Sequence, residues 1–350
     1  MLSRNLNAVL RLSPLRLVTQ LSRKNSTAAA TDISDAEDER DPAPYFFKSE
    51  VQELLKTVTR PDPDKVFRRR LDGRPLQDPE YQFMTDEQLE KALKKAEIQM
   101  WKLLQIPPFV KTRRDDVKVL SYDPAYKGFT DAKYVFTDIS FGIKNKDRIV
   151  AVREPDGTLR TATFEERDRV NQIYFPIEGR EVDPPKMFLE EHLQPILDRG
   201  DFEFVLDRAC IQFEPDSPDF KRVSRAVYEK VNAEMLFDKL RSTRHYGSLV
   251  FYLAWNKNID DLLLENVITE RLEDAALVIK LYSILNPSDG VKMGTTDIET
   301  MQNYLNSKKL MNRKLDQAFK MYLEIESERK TLKENIAKAH GKKEAEPLQD

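Results

Sequence analysis

Apolar residues recur every three or four positions along most of this chain, and at every second position along one short stretch. Ser49 with Gln52 reads as a capping box, and Val51, Leu54, Leu55 and Val58 then follow at helical spacing until Pro61 and Pro63 stop them. Thr85 with Gln88 forms a second box ahead of Leu89, Ala92, Leu93, Ala96, Met100, Leu103 and Leu104. That stripe predicts an amphipathic helix ending before Pro107 and Pro108, with Glu90 and Lys94 paired on its outer side. Between Leu236 and Trp255, Leu236, Leu240, Thr243, Gly247, Val250 and Ala254 fall on one line, and Leu249 to Trp255 is apolar on every side. The prediction is a single helix buried all round at the centre of a C-terminal lobe, with Gly247 admitting another backbone. Residues 309–340 predict a long charged helix with a thin apolar line through Leu315, Phe319, Tyr322, Leu332 and Ile336, the kind that lies on a partner or at an edge.

The period changes to two between Tyr134 and Phe141, where Val135, Thr137, Ile139 and Phe141 share a face. Arg148 to Arg153 returns. Glu154-Pro155-Asp156-Gly157 makes a tight turn in which Pro155 presets φ and Gly157 supplies a positive one. Thr158 to Ala162 is a third strand, and Thr163 with Glu166 caps a helix to about Tyr174. The fold class is therefore mainly α with a small antiparallel β-meander, an α+β chain with two helical lobes around a sheet at residues 133–162. Residues 45–110 hold N-terminal helices and a linker, 117–180 the meander and its helix, and 184–340 a C-terminal helical lobe broken at Pro195, Gly200, Pro215, Pro218 and Pro287. Residues 341–350 form a loose polar tail.

The N-terminus departs from this pattern. Arg4, Arg11, Arg16, Arg23 and Lys24 are its only charges before Asp32, and Leu2, Leu6, Val9 and Leu10 share one side of a helix. An acid-free, Arg- and Ser-containing amphipathic start predicts a mitochondrial presequence over residues 1–30, processed near 24–30. Residues 31–44 are acidic and expected to be disordered, because they can bury too little to offset their ordering entropy. Taking those five cations from 57 Lys plus Arg leaves 52 against 60 Asp plus Glu, a formal charge of −8. Such a surface does not attract RNA as a whole, so any RNA contact is local. Cys210 is the only cysteine, which excludes an internal disulfide, and the seven-residue run at Leu249 is too short to span a bilayer.

Enzyme chemistry finds little support. Ten glycines form neither a P-loop nor a dinucleotide-binding fingerprint, and His192, His245 and His340 with one cysteine offer no zinc spacing. No catalytic residue, metal site or cofactor is expected. Three basic clusters remain as RNA-contact candidates: Arg68, Arg69 and Arg70 in a proline-flanked linker; Arg113 and Arg114 after a helix end; and Arg241 with Arg244, beside His245, on one ridge of the long apolar helix. Guanidinium groups suit sequence-blind phosphate contact. Ordinary ion pairs are the alternative, for instance Asp238 with Arg241, or Asp115 and Asp116 with Arg113 and Arg114.

Seven phrases carry a resemblance. They are KYVFTDIS at Lys133, VREPDGTLR at Val152, EERDR at Glu165, YFPIEGR at Tyr174, QFEPDS at Gln212, LRSTR at Leu240 and KNID at Lys257. In this order, from about Tyr45 to about Asn286, the chain resembles the mitochondrion-specific small-subunit ribosomal protein family numbered twenty-two. The resemblance implies a non-enzymatic structural protein of the mitochondrial ribosome in the matrix. Its implied partners are other small-subunit ribosomal proteins and, to a limited extent, ribosomal RNA. A helical adaptor of a non-ribosomal mitochondrial complex and a matrix enzyme are the alternatives from other classes.

Overall fold

The computed structural model describes residues 40–68, 81–307 and 313–339. The presequence and most of the acidic segment, Arg69 and Arg70, His340 and the C-terminal tail lie outside the described residues.

Helices dominate. Short α1 (Ala43–Phe46) leads into α2 (Ser49–Thr59), and α3 (Pro63–Val66) precedes α4 (Asp86–Leu103). The capping box of α4 is present: the Thr85 hydroxyl accepts the Gln88 N–H, and Gln88 Oε1 accepts the Thr85 N–H. The box expected at α2 is not. Ser49 is already helical, Lys48 occupies the cap, and the Gln52 amide instead donates to the Phe46 carbonyl at 2.7 Å, tying α2 to α1.

The sheet has four strands, β1 (Val119–Tyr122), β2 (Tyr134–Thr137), β3 (Val150–Arg153) and β4 (Thr158–Thr161), in the order β1-β4-β3-β2. The expected meander is β2-β3-β4, antiparallel with Val135 opposite Val152 and Val152 opposite Arg160. The sequence does not announce β1, because VLSY shows no alternation; it is a strand by virtue of pairing antiparallel with β4, through a bulge at Val119/Ser121. β2 also ends earlier than expected. The Asp138 carboxylate accepts the Ser140 N–H at 2.9 Å and turns the chain, so Ile139 and Phe141 leave the ladder and face solvent. Val150 and Val152 are buried on the face from which Arg160 reaches Glu166, in the first turn of α5 (Phe164–Tyr174). The Thr163/Glu166 capping box of α5 forms as expected.

The C-terminal region continues with α6 (Glu190–Asp198), α7 (Phe202–Gln212), α8 (Pro218–Ala233), α9 (Tyr246–Trp255), α10 (Asp260–Ile268), α11 (Leu272–Leu285), α12 (Asp297–Ser307) and α13 (Arg313–Ala339). Pro195 does not break the chain; it lies inside α6 between the buried Leu193 and Leu197. Every residue of α9 is buried, as its all-round hydrophobicity predicts. Gly247 contacts the Ile106 side chain rather than another backbone. The helix starts ten residues later than expected. Ser242 adopts φ +63°, a left-handed conformation that no helix accommodates, so Leu236 to His245 form a short 3₁₀ turn and bends.

α2 packs against both α9 and α11. Val51, Leu55 and Val58 are thereby part of the same apolar cluster as Phe251, Leu263 and Ile279. The N-terminal helices and the C-terminal lobe, separate in the sequence pattern, share one core. α13 packs on α10 through Leu315 and Phe319, while Leu332 and Ile336 farther along are exposed.

Candidate nucleic-acid interface

The arginines singled out by the sequence occupy three different environments. Arg113 lies in the segment that leads from α4 to β1, and its guanidinium meets several acids. It lies 2.7 Å from Asp168, 3.5 Å from Glu214 and 3.8 Å from Asp216. It also stacks 4.5 Å over the Phe164 ring, and its own N–H donates to the Asp216 carbonyl. This arginine therefore clamps α5 to the turn between α7 and α8. Glu214 is shared with Arg180, 3.8 Å away, so this guanidinium is committed to internal acids that a second arginine also meets. Next to it, Arg114 is exposed and makes no ion pair with a described residue.

Arg241 is buried. Its guanidinium donates to Glu265 at 2.7 Å and to Asn266 at 3.2 Å, stands 3.6 Å from Asp274, and lies 5.0 Å over the Tyr246 ring. Asp274, fully buried, also binds Arg60 at 2.6 Å. Arg241 inside the core and the half-exposed Arg60 at its rim thus neutralise Glu265 and Asp274, the condition under which buried charge is tolerated. Burial pushes the Glu265 carboxyl above its ordinary range, and Arg241 opposes that push. An ion pair is what Arg241 makes, but with Glu265 and Asp274, not with Asp238, which instead meets Lys65.

Arg244 does not share a ridge with Arg241, because the helix begins only at Tyr246. Arg244 turns toward α7, where its Nε lies 3.1 Å from Asp207, and the buried His245 imidazole meets the same carboxylate at 3.0 Å. Burial holds His245 below its ordinary pKa, with Asp207 acting in the opposite direction. Arg68 is exposed just beyond α3 and makes no ion pair with a described residue. Of the described candidates, Arg68 and Arg114 present their charge outward.

Two structural arginines escaped sequence reasoning. Arg148 is buried, stacked 3.4 Å over Phe175, and donates to the carbonyls of Asp138, Ser140 and Ile143, which fixes the loop between β2 and β3. Arg160 bridges Glu154 and Glu166, and this contact holds the Glu166 carboxyl down at about 2. No periodicity marks either residue; both are recognised only by the oxygens gathered around them.

Among the described residues no three His, Cys, Asp or Glu side chains converge as metal ligands, and no helix is long and apolar enough to cross a membrane. Burial raises the Cys210 thiol above its ordinary pKa, so it is held as the thiol rather than the thiolate.

The family model described as mitochondrial 28S ribosomal protein S22 matches residues 44–287, from α1 to the end of α11. The small ribosomal subunit protein mS22 of Mus musculus is 41% identical over 244 residues, covering 70% of this chain and 67% of that protein. The mS22 protein of Bos taurus is 42% identical over 245 residues, with the same coverage. A match of that extent, spanning both the sheet and the shared helical core, places this chain in the mitochondrial 28S ribosomal protein S22 family.

Proposed function

We propose that the chain is a structural protein of the small subunit of the mitochondrial ribosome, acting in mitochondrial translation by contact with neighbouring proteins and, locally, with ribosomal RNA. The observation that carries this reading is the continuous family match over residues 44–287, which includes most of the buried core. The physical character of the chain supports it. The arginines that could have formed a charged site are committed to internal acids, as at Arg113 and Arg241, and serve to join elements.

Any RNA contact then belongs to outward-facing cations. Among the arginine candidates, Arg68 and Arg114 are the described ones that face outward, with Arg69 and Arg70 adjoining Arg68 in sequence. Density-gradient sedimentation of a mitochondrial lysate tests the main reading: the chain should migrate with the small-subunit RNA. Migration as free protein, or with a particle lacking that RNA, would overturn it. Crosslinking to RNA in the intact subunit tests the finer one. Replacing an arginine that binds phosphate should also make RNA binding less sensitive to salt.

A further inference from the structure

α4 is 18 residues long, has a complete capping box and an amphipathic sequence, and buries none of its residues. A helix of that length measures about 27 Å. Leu89 is 50% exposed, Leu93 61% and Leu103 55%, and Ala92, Ala96 and Met100 between them are only half-buried. At 100° per residue these six side chains form one stripe. An amphipathic helix in water gains its stability chiefly by burying such a stripe, so this one lacks its natural cover within the described residues.

The borders of the stripe are charged differently. Asp86, Glu90 and Glu97 follow one side, Glu90 standing 3.8 Å from Lys94 on the outer face, and Gln88, Lys95, Gln99 and Lys102 the other, all exposed. Ala92 and Ala96 put no bulk at the middle of the stripe, which lets a second helix approach closely. Beyond the C-terminal end, the chain is fixed to the body. Leu104 is buried, Ile106 packs on Gly247, and the Pro107 carbonyl accepts the Ser248 hydroxyl at 2.8 Å.

We infer that α4 is a docking helix for an amphipathic helix of a neighbouring protein, one that brings basic side chains to the Asp86/Glu90/Glu97 border and acidic or amide side chains to the Lys95/Lys102 border. The inference rests on the proposed ribosomal role for the source of that neighbour. A second copy of this chain fits poorly. Antiparallel copies would set acid against acid and lysine against lysine. Parallel copies would force two bodies together at the anchored end, where paired helices leave only about 8–10 Å between axes. A lipid surface fits poorly too, because the acidic border would lie at the anionic headgroups.

The test uses the full chain in mitochondria, carrying a photocrosslinking amino acid at position 93 or, on the outer side of the helix, at position 94. Sedimentation is recorded first, and the crosslinked species are then mapped to the peptide. Position 93 should capture one protein, through a helical segment with basic residues facing the acidic border, and position 94 should not. With the crosslinker kept at position 93, Leu89→Glu should lower the yield of that crosslinked complex about tenfold, as expected for losing one buried leucine, while the circular dichroism of the purified chain stays unchanged. Reversing Glu90 and Glu97 to lysine should weaken capture, and a matching reversal on the captured helix should restore it. Capture of a second copy, of RNA or lipid, or of nothing at position 93 in particles that do contain the chain would overturn the inference. Loss of sedimentation with small-subunit RNA alongside capture of such a helix would instead overturn the ribosomal reading and leave the docking helix standing.

Discussion

Gly157 faces the Asp123 carbonyl so closely that a β-carbon on the glycine would overlap its oxygen. The same two residues are hydrogen-bonded, the Asp123 N–H donating to the Gly157 carbonyl at 2.9 Å. Gly157 has φ +90°, and its N–H closes the turn on Glu154. The turn that the sequence reads as a local device is thus also the point where β1 joins the sheet.

Replacing Gly157 with valine should therefore cost more than an ordinary turn substitution. The positive φ alone costs about 1–2 kcal/mol for an L residue, and the overlap with Asp123 adds to it. Urea unfolding should show a loss of about 2–4 kcal/mol. An unchanged midpoint would refute the placement of β1 against this turn.

Trp255 closes α9 against the N-terminal segment. Its ring stacks at 6.0 Å on Phe251 and meets Tyr45 edge-on at 5.7 Å, and the residue is buried. Trp255→Ala should lower stability by about 3–5 kcal/mol. In the wild-type chain Trp255 fluorescence should resist aqueous quenchers; ready quenching of the folded protein would contradict this packing.

Arg241 and Arg114 should respond in opposite ways. Arg241→Ala leaves the buried carboxylates of Glu265 and Asp274 short of a cation and should cost about 3–5 kcal/mol. Arg114→Ala, at an exposed position, should change stability by less than about 0.5 kcal/mol. If Arg114 meets RNA, Arg114→Glu should reduce RNA crosslinking of the intact subunit without lowering the melting temperature. Equal crosslinking of wild type and variant would remove Arg114 from the contact.

His245 predicts a pH dependence. Its folded-state pKa is lowered by burial, although Asp207 partly offsets this. The unfolded chain therefore takes up the imidazole proton first, so the contribution is fully present above about 6.5 and is lost as pH falls below it. Melting temperatures measured from pH 7.5 to pH 5.5 should decline more steeply for the wild type than for His245→Gln. Parallel curves would show that the imidazole does not titrate unfavourably in the fold.

Short-range chemistry made much of this protein legible in its sequence. The capping boxes at Thr85 and Thr163, the positive φ of Gly157 and the burial of Val250 to Trp255 each depend on residues within a few positions of one another. Repetition at 3.6 or 2 residues reports which way side chains face wherever the backbone is regular. The resemblance that leads to the family also lies in such contiguous phrases, and the family match covers the span from which they come.

Partner choice was decided only by the tertiary structure. Arg241 has charged neighbours in sequence, yet its carboxylates come from α10 and α11; Arg60 reaches Asp274 across 214 positions. β1 exists because β4 offers it a ladder, and α9 starts where Ser242 takes a left-handed turn. An amphipathic pattern states that a face must be covered but not by what, which is why α2 is inside the shared core and α4, also amphipathic in sequence, is outside it. The hydrophobic effect is non-directional and acts on area, whereas the identity of the covering surface follows from which elements the folded chain brings together.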